Sequence, residues 1–234
     1  MANTSFPKAI LFGSIGTLIE TSEMQRAAFN KAFDEAGLDW HWDAQSYRDT
    51  LASSGGLARI ETYAQSRSET VDAVWVHQLK THYFTQALKS SNATPRAGVL
   101  DVMKYAYDKG IDLAFVTSTS RANVDGVFTA LGNTIAENDF KFVGDASMVS
   151  TNKPSPDIYF EALKRLGYKA PEVVTIEDSE PSMIAAVDAG IPCIAFPGEN
   201  TTHHNYAKAS SVLTHLTPEA IKEIEPVPLS PELA

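Results

Sequence analysis

The stretch Ala9-Ile10-Leu11-Phe12-Gly13-Ser14-Ile15-Gly16-Thr17-Leu18 decides how the rest of the chain reads. From Lys8 to Phe12 it is a short apolar run with no polar alternation, closed by Gly13, which is the pattern of a buried parallel strand feeding a loop. Parallel strands need crossover helices between them, so the remaining sequence should alternate strand with helix.

That alternation begins only after a long interval. Thr21 or Ser22 can cap a helix that carries Met24, Ala28, Phe29, Ala32, Phe33 and Ala36 at helical spacing and stops at Gly37. Further helical stretches cover 44–52, 57–64 and 70–89, with Ser-Ser-Gly-Gly at 53–56 as a break. After Thr94-Pro95 the pattern changes to helix 98–109, strand 112–117, helix 121–131, strand 142–144, helix 156–166, strand 173–177, helix 181–189 and strand 192–195. The expected architecture is α/β: a Rossmann-like parallel sheet, formed by 1–17 and 96–225, with an inserted all-helical cap at 18–95. A cap over the carboxyl ends of the strands makes a cleft where a ligand can sit. The proline-rich tail at 226–234 is expected to lack fixed structure, and no internal repeat is visible.

Composition narrows the function classes. The 234 residues are 44% hydrophobic, enough for a sizeable core, and 29 acidic against 19 basic residues give a net charge of −10. That balance repels nucleic acid and anionic membrane surfaces. No apolar run approaches the ~20 residues of a membrane span, so a cytoplasmic location is expected. Cys193 is the sole cysteine and sits in an apolar strand pattern, which argues for a buried core residue. His203-His204 lacks a third ligand at metal-binding spacing and reads as a polar loop. Trp40, Trp42 and Trp75 are expected to pack the cap. The Gly13-Ser-Ile-Gly16-Thr run fails as a nucleotide loop, because no lysine follows the second glycine and the next strand lies beyond the helical block.

Four segments at strand ends carry a family likeness: Phe12 to Leu18, Phe115-Val116-Thr117-Ser118-Thr119-Ser120, Asn152-Lys153-Pro154-Ser155-Pro156-Asp157-Ile158-Tyr159, and Ile176-Glu177-Asp178-Ser179. Together they resemble the haloacid dehalogenase superfamily. Asp39-Trp40-His41-Trp42-Asp43 and the Gly55-Gly56 pair add a likeness to its CbbY branch, near the β-phosphoglucomutase group. The resemblance implies phosphohydrolase chemistry in which an aspartate at the end of strand one attacks phosphorus and a second aspartate two residues on serves as acid and base. Gly13 and Ile15 stand at those two positions. Neither offers a nucleophile or an exchangeable proton.

The family's Mg²⁺ site loses a ligand with them. What the resemblance leaves for the metal is Asp178, Glu177 and the Ile15 backbone carbonyl, a weakened hard-oxygen set. The resemblance implies that the anion-holding positions persist, with Thr117, Ser118 and the backbone amides that follow facing a phosphoryl group at a helix start; the other reading of Thr117 is a residue of a Ser/Thr-rich helix cap. Lys153 either supplies positive charge to that group or, with position 13 empty, pairs with Asp178. In the cap, Leu57 and Gln25 replace a phosphate-gripping lysine and a histidine, while Arg26 and Arg59 remain as candidate substrate contacts. Three readings stay open: a non-hydrolytic binder of a phosphorylated metabolite, a weak or rerouted sugar-phosphate phosphatase using Asp178 or Glu177 as base, and a non-catalytic protein-interaction module.

Overall fold

Strand β1 (Ala9–Phe12) runs through the middle of the molecule, and none of its four side chains reaches solvent. Its alternate residues point to opposite faces: Ile10 and Phe12 enter one apolar cluster with Val102, Phe115 and Val124, while Ala9 and Leu11 enter another with Ile158, Tyr159 and Ala185. Covering on both faces is why the strand reads as one continuous apolar run. The computed structural model describes residues 6–52 and 55–225. The expected break at Ser53-Ser54 and the tail at 226–234 lie outside the described residues.

A single-turn helix α1 (Ile15–Leu18) follows β1, and then helices α2 (Ser22–Glu35), α3 (Ala44–Asp49), α4 (Gly56–Ser66) and α5 (Ala73–Ser90) come before any second strand. They enclose a cluster of their own around Phe29, Phe33, Trp40, Trp42, Tyr47 and Ile60. Trp42 lies 4.8 Å, centroid to centroid, from both Phe29 and Phe33. Each fully covered ring contributes about 1.5–3 kcal/mol by burial. Trp75 departs from expectation, being 44% exposed. The inward stripe of α5 is Val76, Lys80, Phe84 and Leu88 at four-residue spacing, and Trp75 falls one position off it.

The rest of the chain alternates as α6 (Val99–Lys109), β2 (Asp112–Val116), α7 (Arg121–Leu131), β3 (Phe142–Gly144), α8 (Asp157–Leu166), β4 (Val173–Glu177), α9 (Glu180–Asp188) and β5 (Cys193–Ala195). Two short elements beyond the expected pattern close it: β6 (Ser211–Val212) and α10 (Pro218–Lys222). The six strands form one sheet in the order β3-β2-β1-β4-β5-β6, every pair parallel. The fold is thus a Rossmann-like parallel sheet with an inserted helical cap. Because β1, β2 and β4 are neighbours and parallel, the loops after Phe12, Val116 and Glu177 leave the sheet at the same end. Among the described residues no helix is long and apolar enough to cross a membrane.

Arg96 ties the return of the chain from the helical block to that end of the sheet. Its guanidinium donates to the carbonyls of Gly16 (2.6 Å), Phe196 (2.9 Å) and Pro197 (2.6 Å) and lies 3.5 Å over the Phe196 ring. A planar five-donor group can meet three carbonyls and stack at once, which a lysine cannot.

Candidate functional site

A cavity of about 700 Å³ opens between the sheet end and the helical block, lined by Gly13, Ser14, Thr117, Ser118, Lys153 and Asp178 from below and by Gln25, Arg59, His77 and Lys80 from above. The fold therefore brings together most of the residues singled out in the sequence. Glu177 and Arg26 are absent from this lining. Glu177 lies beneath the floor, wholly covered. Arg26 is held away by an ion pair with Glu23 (2.6 Å) and a hydrogen bond to the Trp42 carbonyl (3.1 Å).

The floor is organised by Lys153, only 3% exposed. Its ammonium pairs with Glu177 Oε1 at 2.6 Å, donates to the Val116 carbonyl at 2.9 Å and to the Gly13 carbonyl, and lies 3.2 Å from Tyr159 Oη. Tyr159 Oη also donates to Glu177 Oε1. The partner of Lys153 is thus Glu177 and not Asp178, because Glu177 ends β4 inside the sheet while Asp178 stands one residue beyond, at the cavity wall. Burial pushes the Glu177 carboxyl up, and the adjacent Lys153 charge pulls it back. Its second oxygen, Oε2, is buried without a partner. Tyr159 was visible in the sequence only as the end of a family motif; a tyrosine on the sheet-facing side of an amphipathic helix was the available signal.

Asp178 is held differently. Oδ1 accepts from Ser14 Oγ at 2.8 Å, and its backbone carbonyl accepts from Thr201 Oγ1 (2.6 Å) and Tyr206 Oη (2.8 Å). Oδ2 lies where a β-carbon at position 16 would fall, so only glycine fits there. Burial raises the Asp178 carboxyl, and the Ser14 hydroxyl and the Arg96 charge oppose that rise.

These donors do not fit a magnesium ion. Position 13 has no side chain, one Glu177 oxygen is taken by Lys153 and Tyr159 beneath the floor, and the Ile15 carbonyl accepts the Ile19 amide at 3.0 Å. Of the three positions named for the metal, Asp178 alone is left to offer a carboxylate at the wall, whereas a hard octahedral cation wants several oxygens at once. Among the described residues no group of three or more His, Cys, Asp or Glu side chains converges on one point.

Thr117 sits at the end of β2, 3% exposed, and its hydroxyl oxygen accepts the Thr119 amide at 3.2 Å, which leaves its proton to give into the cavity. Ser118 Oγ accepts the Lys153 backbone amide at 3.2 Å, linking this loop to the Lys153 loop. Helix α7 starts after Ser120, whose side chain makes no capping bond. Asn123, in the first turn of α7, donates to Thr119 Oγ1 at 2.6 Å and accepts from Thr85 of α5 at 3.1 Å.

The upper wall holds a cation the sequence reading did not single out. Lys80 is 5% exposed, donates to the Gln25 amide oxygen, and stands over the rings of Phe84 (4.6 Å) and Phe29 (5.1 Å). Burial, helped by the nearby Arg59 charge, brings its pKa down to about 7. A lysine inside the apolar stripe Val76, Lys80, Phe84, Leu88 was the signal in the sequence. Arg59 reaches the same wall, donates to the Thr50 carbonyl at 3.1 Å and lies 5.7 Å over both Phe29 and Tyr47; burial lowers its pKa. His77 is held neutral, near 4, by burial and by the Lys80 and Arg59 charges.

The family described as haloacid dehalogenase-like hydrolase matches residues 10–196. Protein CbbY of Cereibacter sphaeroides is 36% identical over 209 residues, covering 88% of this chain and 91% of that protein. The plasmid-encoded CbbY of Cupriavidus necator is 35% identical over 231 residues, covering 94% and 89%. The crystal structure of a mutant CbbY from Rhodobacter sphaeroides in complex with xylulose-(1,5)bisphosphate superposes with a TM-score of 0.82 at 35% identity, covering 93% of this chain and 96% of that one.

Proposed function

Since the chain belongs to the haloacid dehalogenase-like hydrolases, in their CbbY branch, we propose that it binds a phosphorylated sugar in the cleft and lacks the covalent route to hydrolyse it. The observation that carries this reading is the end of β1. Gly13 offers only a carbonyl, already accepting from Lys153, and Ile15 offers only an apolar side chain. A phosphoryl group over that strand meets no attacking carboxylate and no acid to protonate a leaving oxygen.

The binding half of the chemistry persists in this reading. Thr117 and Ser118, with the Arg121 and Ala122 amides that open α7, receive one phosphate. Lys80 and Arg59 on the upper wall receive a second anionic group, which suits a bisphosphate such as the ligand of the related CbbY crystal. Arg26 takes no part, since Glu23 and the Trp42 carbonyl hold it elsewhere. The family's magnesium has no carboxylate set here, so no step passes through it.

A second reading rests on Asp178, which lines the cavity beside Ser14 at the end of the sheet. As general base for water it would supply roughly 10²- to 10⁴-fold, far below what a nucleophile and acid achieve together. Phosphate release from sugar mono- and bisphosphates, with and without Mg²⁺, decides between the two, with the Cereibacter sphaeroides CbbY as the reference enzyme. We expect release at background level; turnover comparable to the reference would overturn the proposal. Thermal-shift titration with xylulose-1,5-bisphosphate and with inorganic phosphate tests binding. We expect stabilisation by the bisphosphate, and no shift at millimolar ligand would favour a protein-interaction module.

A further inference from the structure

We propose that Glu177 has taken the place of the missing carboxylate at position 13: rooted on the adjacent strand, its side chain fills the space over Gly13 and serves as the counter-charge of Lys153. A β-carbon built on Gly13 would overlap Glu177 Oε1 and Cδ and also Tyr159 Oη. The oxygen that fills this space is the one paired with Lys153 at 2.6 Å. Strands β1 and β4 lie side by side with Phe12 opposite Ile176, and the Gly13 amide donates to the Ile176 carbonyl at 2.9 Å. Positions 13 and 177 are therefore lateral neighbours, and two methylenes are enough for a glutamate to reach across.

The reason is electrostatic. Lys153 is buried among carbonyls and a tyrosine ring, and an ammonium withdrawn from water is stabilised by a carboxylate beside it. With no carboxylate at 13, Glu177 is the carboxylate that Lys153 meets. The unpartnered Oε2 of Glu177 fits this origin, since the carboxylate reaches its post with one oxygen while the other faces no donor. Glu177 is also closed off from the cavity, so it holds the fold and does not face a ligand. Gly13 and an inward Glu177 are then two halves of one arrangement, and a carboxylate restored at 13 competes for occupied space.

This inference concerns the unliganded fold and stands whether or not a sugar phosphate binds. It is tested by a double-mutant cycle in urea without ligand and with a metal chelator, using Gly13→Asp, Glu177→Ala and the pair. Each single variant is expected to lower the unfolding midpoint. The pair is expected to recover most of the loss, because Asp at 13 then faces Lys153 without a second carboxylate in its space. Midpoint losses that simply add would overturn the proposal. Should Gly13→Asp fail to fold, Gly13→Ala adds the β-carbon alone. With Tyr159→Phe in both backgrounds to remove the other overlapping atom, it should lower the midpoint when Glu177 is present and do so much less in Glu177→Ala. Equal losses in both backgrounds would overturn it as well.

Discussion

The two walls of the cleft each bury a lysine, and they satisfy it in opposite ways. Lys153 on the sheet side has a full carboxylate at 2.6 Å, two carbonyls and a tyrosine hydroxyl. Lys80 on the cap side has a neutral amide oxygen and two ring faces. The first charge is already spent within the protein; the second is kept short of a partner and is lowered to about 7 by that isolation and by Arg59. A fully matched cation is costly to uncouple from its partner, whereas an under-matched one at a cavity wall is poised for an anion from outside.

The contrast breaks most directly at Lys153. Lys153→Met leaves Glu177 buried without its counter-charge and should cost about 3–5 kcal/mol, read from urea unfolding; a loss under 1 kcal/mol would show that the pair is not what holds the floor. Lys80→Met should act the other way. The free protein should stay within about 1 kcal/mol of the parent or gain stability, while calorimetric affinity for a sugar bisphosphate falls roughly 10- to 100-fold. If Lys80→Met unfolds like Lys153→Met, the two walls are not different in kind.

A pH series sharpens the same point. The folded pKa of Lys80 lies near 7, against 10.5 for an ordinary lysine, so the unfolded chain holds more protons between those values. The Lys80 contribution to stability should therefore rise as pH climbs from about 7 to 10.5, while its pull on an anion fades over the lower part of that range. His77, neutral from about pH 4 upward, adds nothing there. Subtracting the Lys80→Met series from the parent should isolate this slope, and superimposable series would refute it. The smallest effect belongs to Arg26→Ala, which removes a surface ion pair. A stability change of about 0.2–1 kcal/mol and unchanged bisphosphate affinity are expected.

Much of this could be read in advance because burial leaves a plain trace. Ala9 to Phe12 announced a covered strand, and Phe29, Phe33 and Ala32 fell on one helix face as spaced. Strand β6 escaped because two residues carry no periodicity, although Thr217-Pro218 was a usable start signal for α10, with Thr217 Oγ1 accepting the Ala220 amide. At the site, the family likeness pointed to Thr117, Ser118, Lys153 and Asp178, which line one cavity in the fold. Which carboxylate Lys153 would choose was not legible, because that choice depends on the lateral register of β1 on β4 and on the space a glycine leaves. Arg26 and Arg59 looked alike in sequence; only packing separated the one clamped by Glu23 from the one on the cavity wall.

Asn123 has one more consequence. Its amide grips the Thr85 hydroxyl of the cap helix with one hand and the Thr119 hydroxyl of the loop after β2 with the other. Gly126, one turn further along α7, lets Leu88 of the same cap helix lie against its backbone. The loop that faces the ligand and the wall above it are thus fastened to each other through one side chain and one close backbone approach, so the floor and roof of the cleft share a joint.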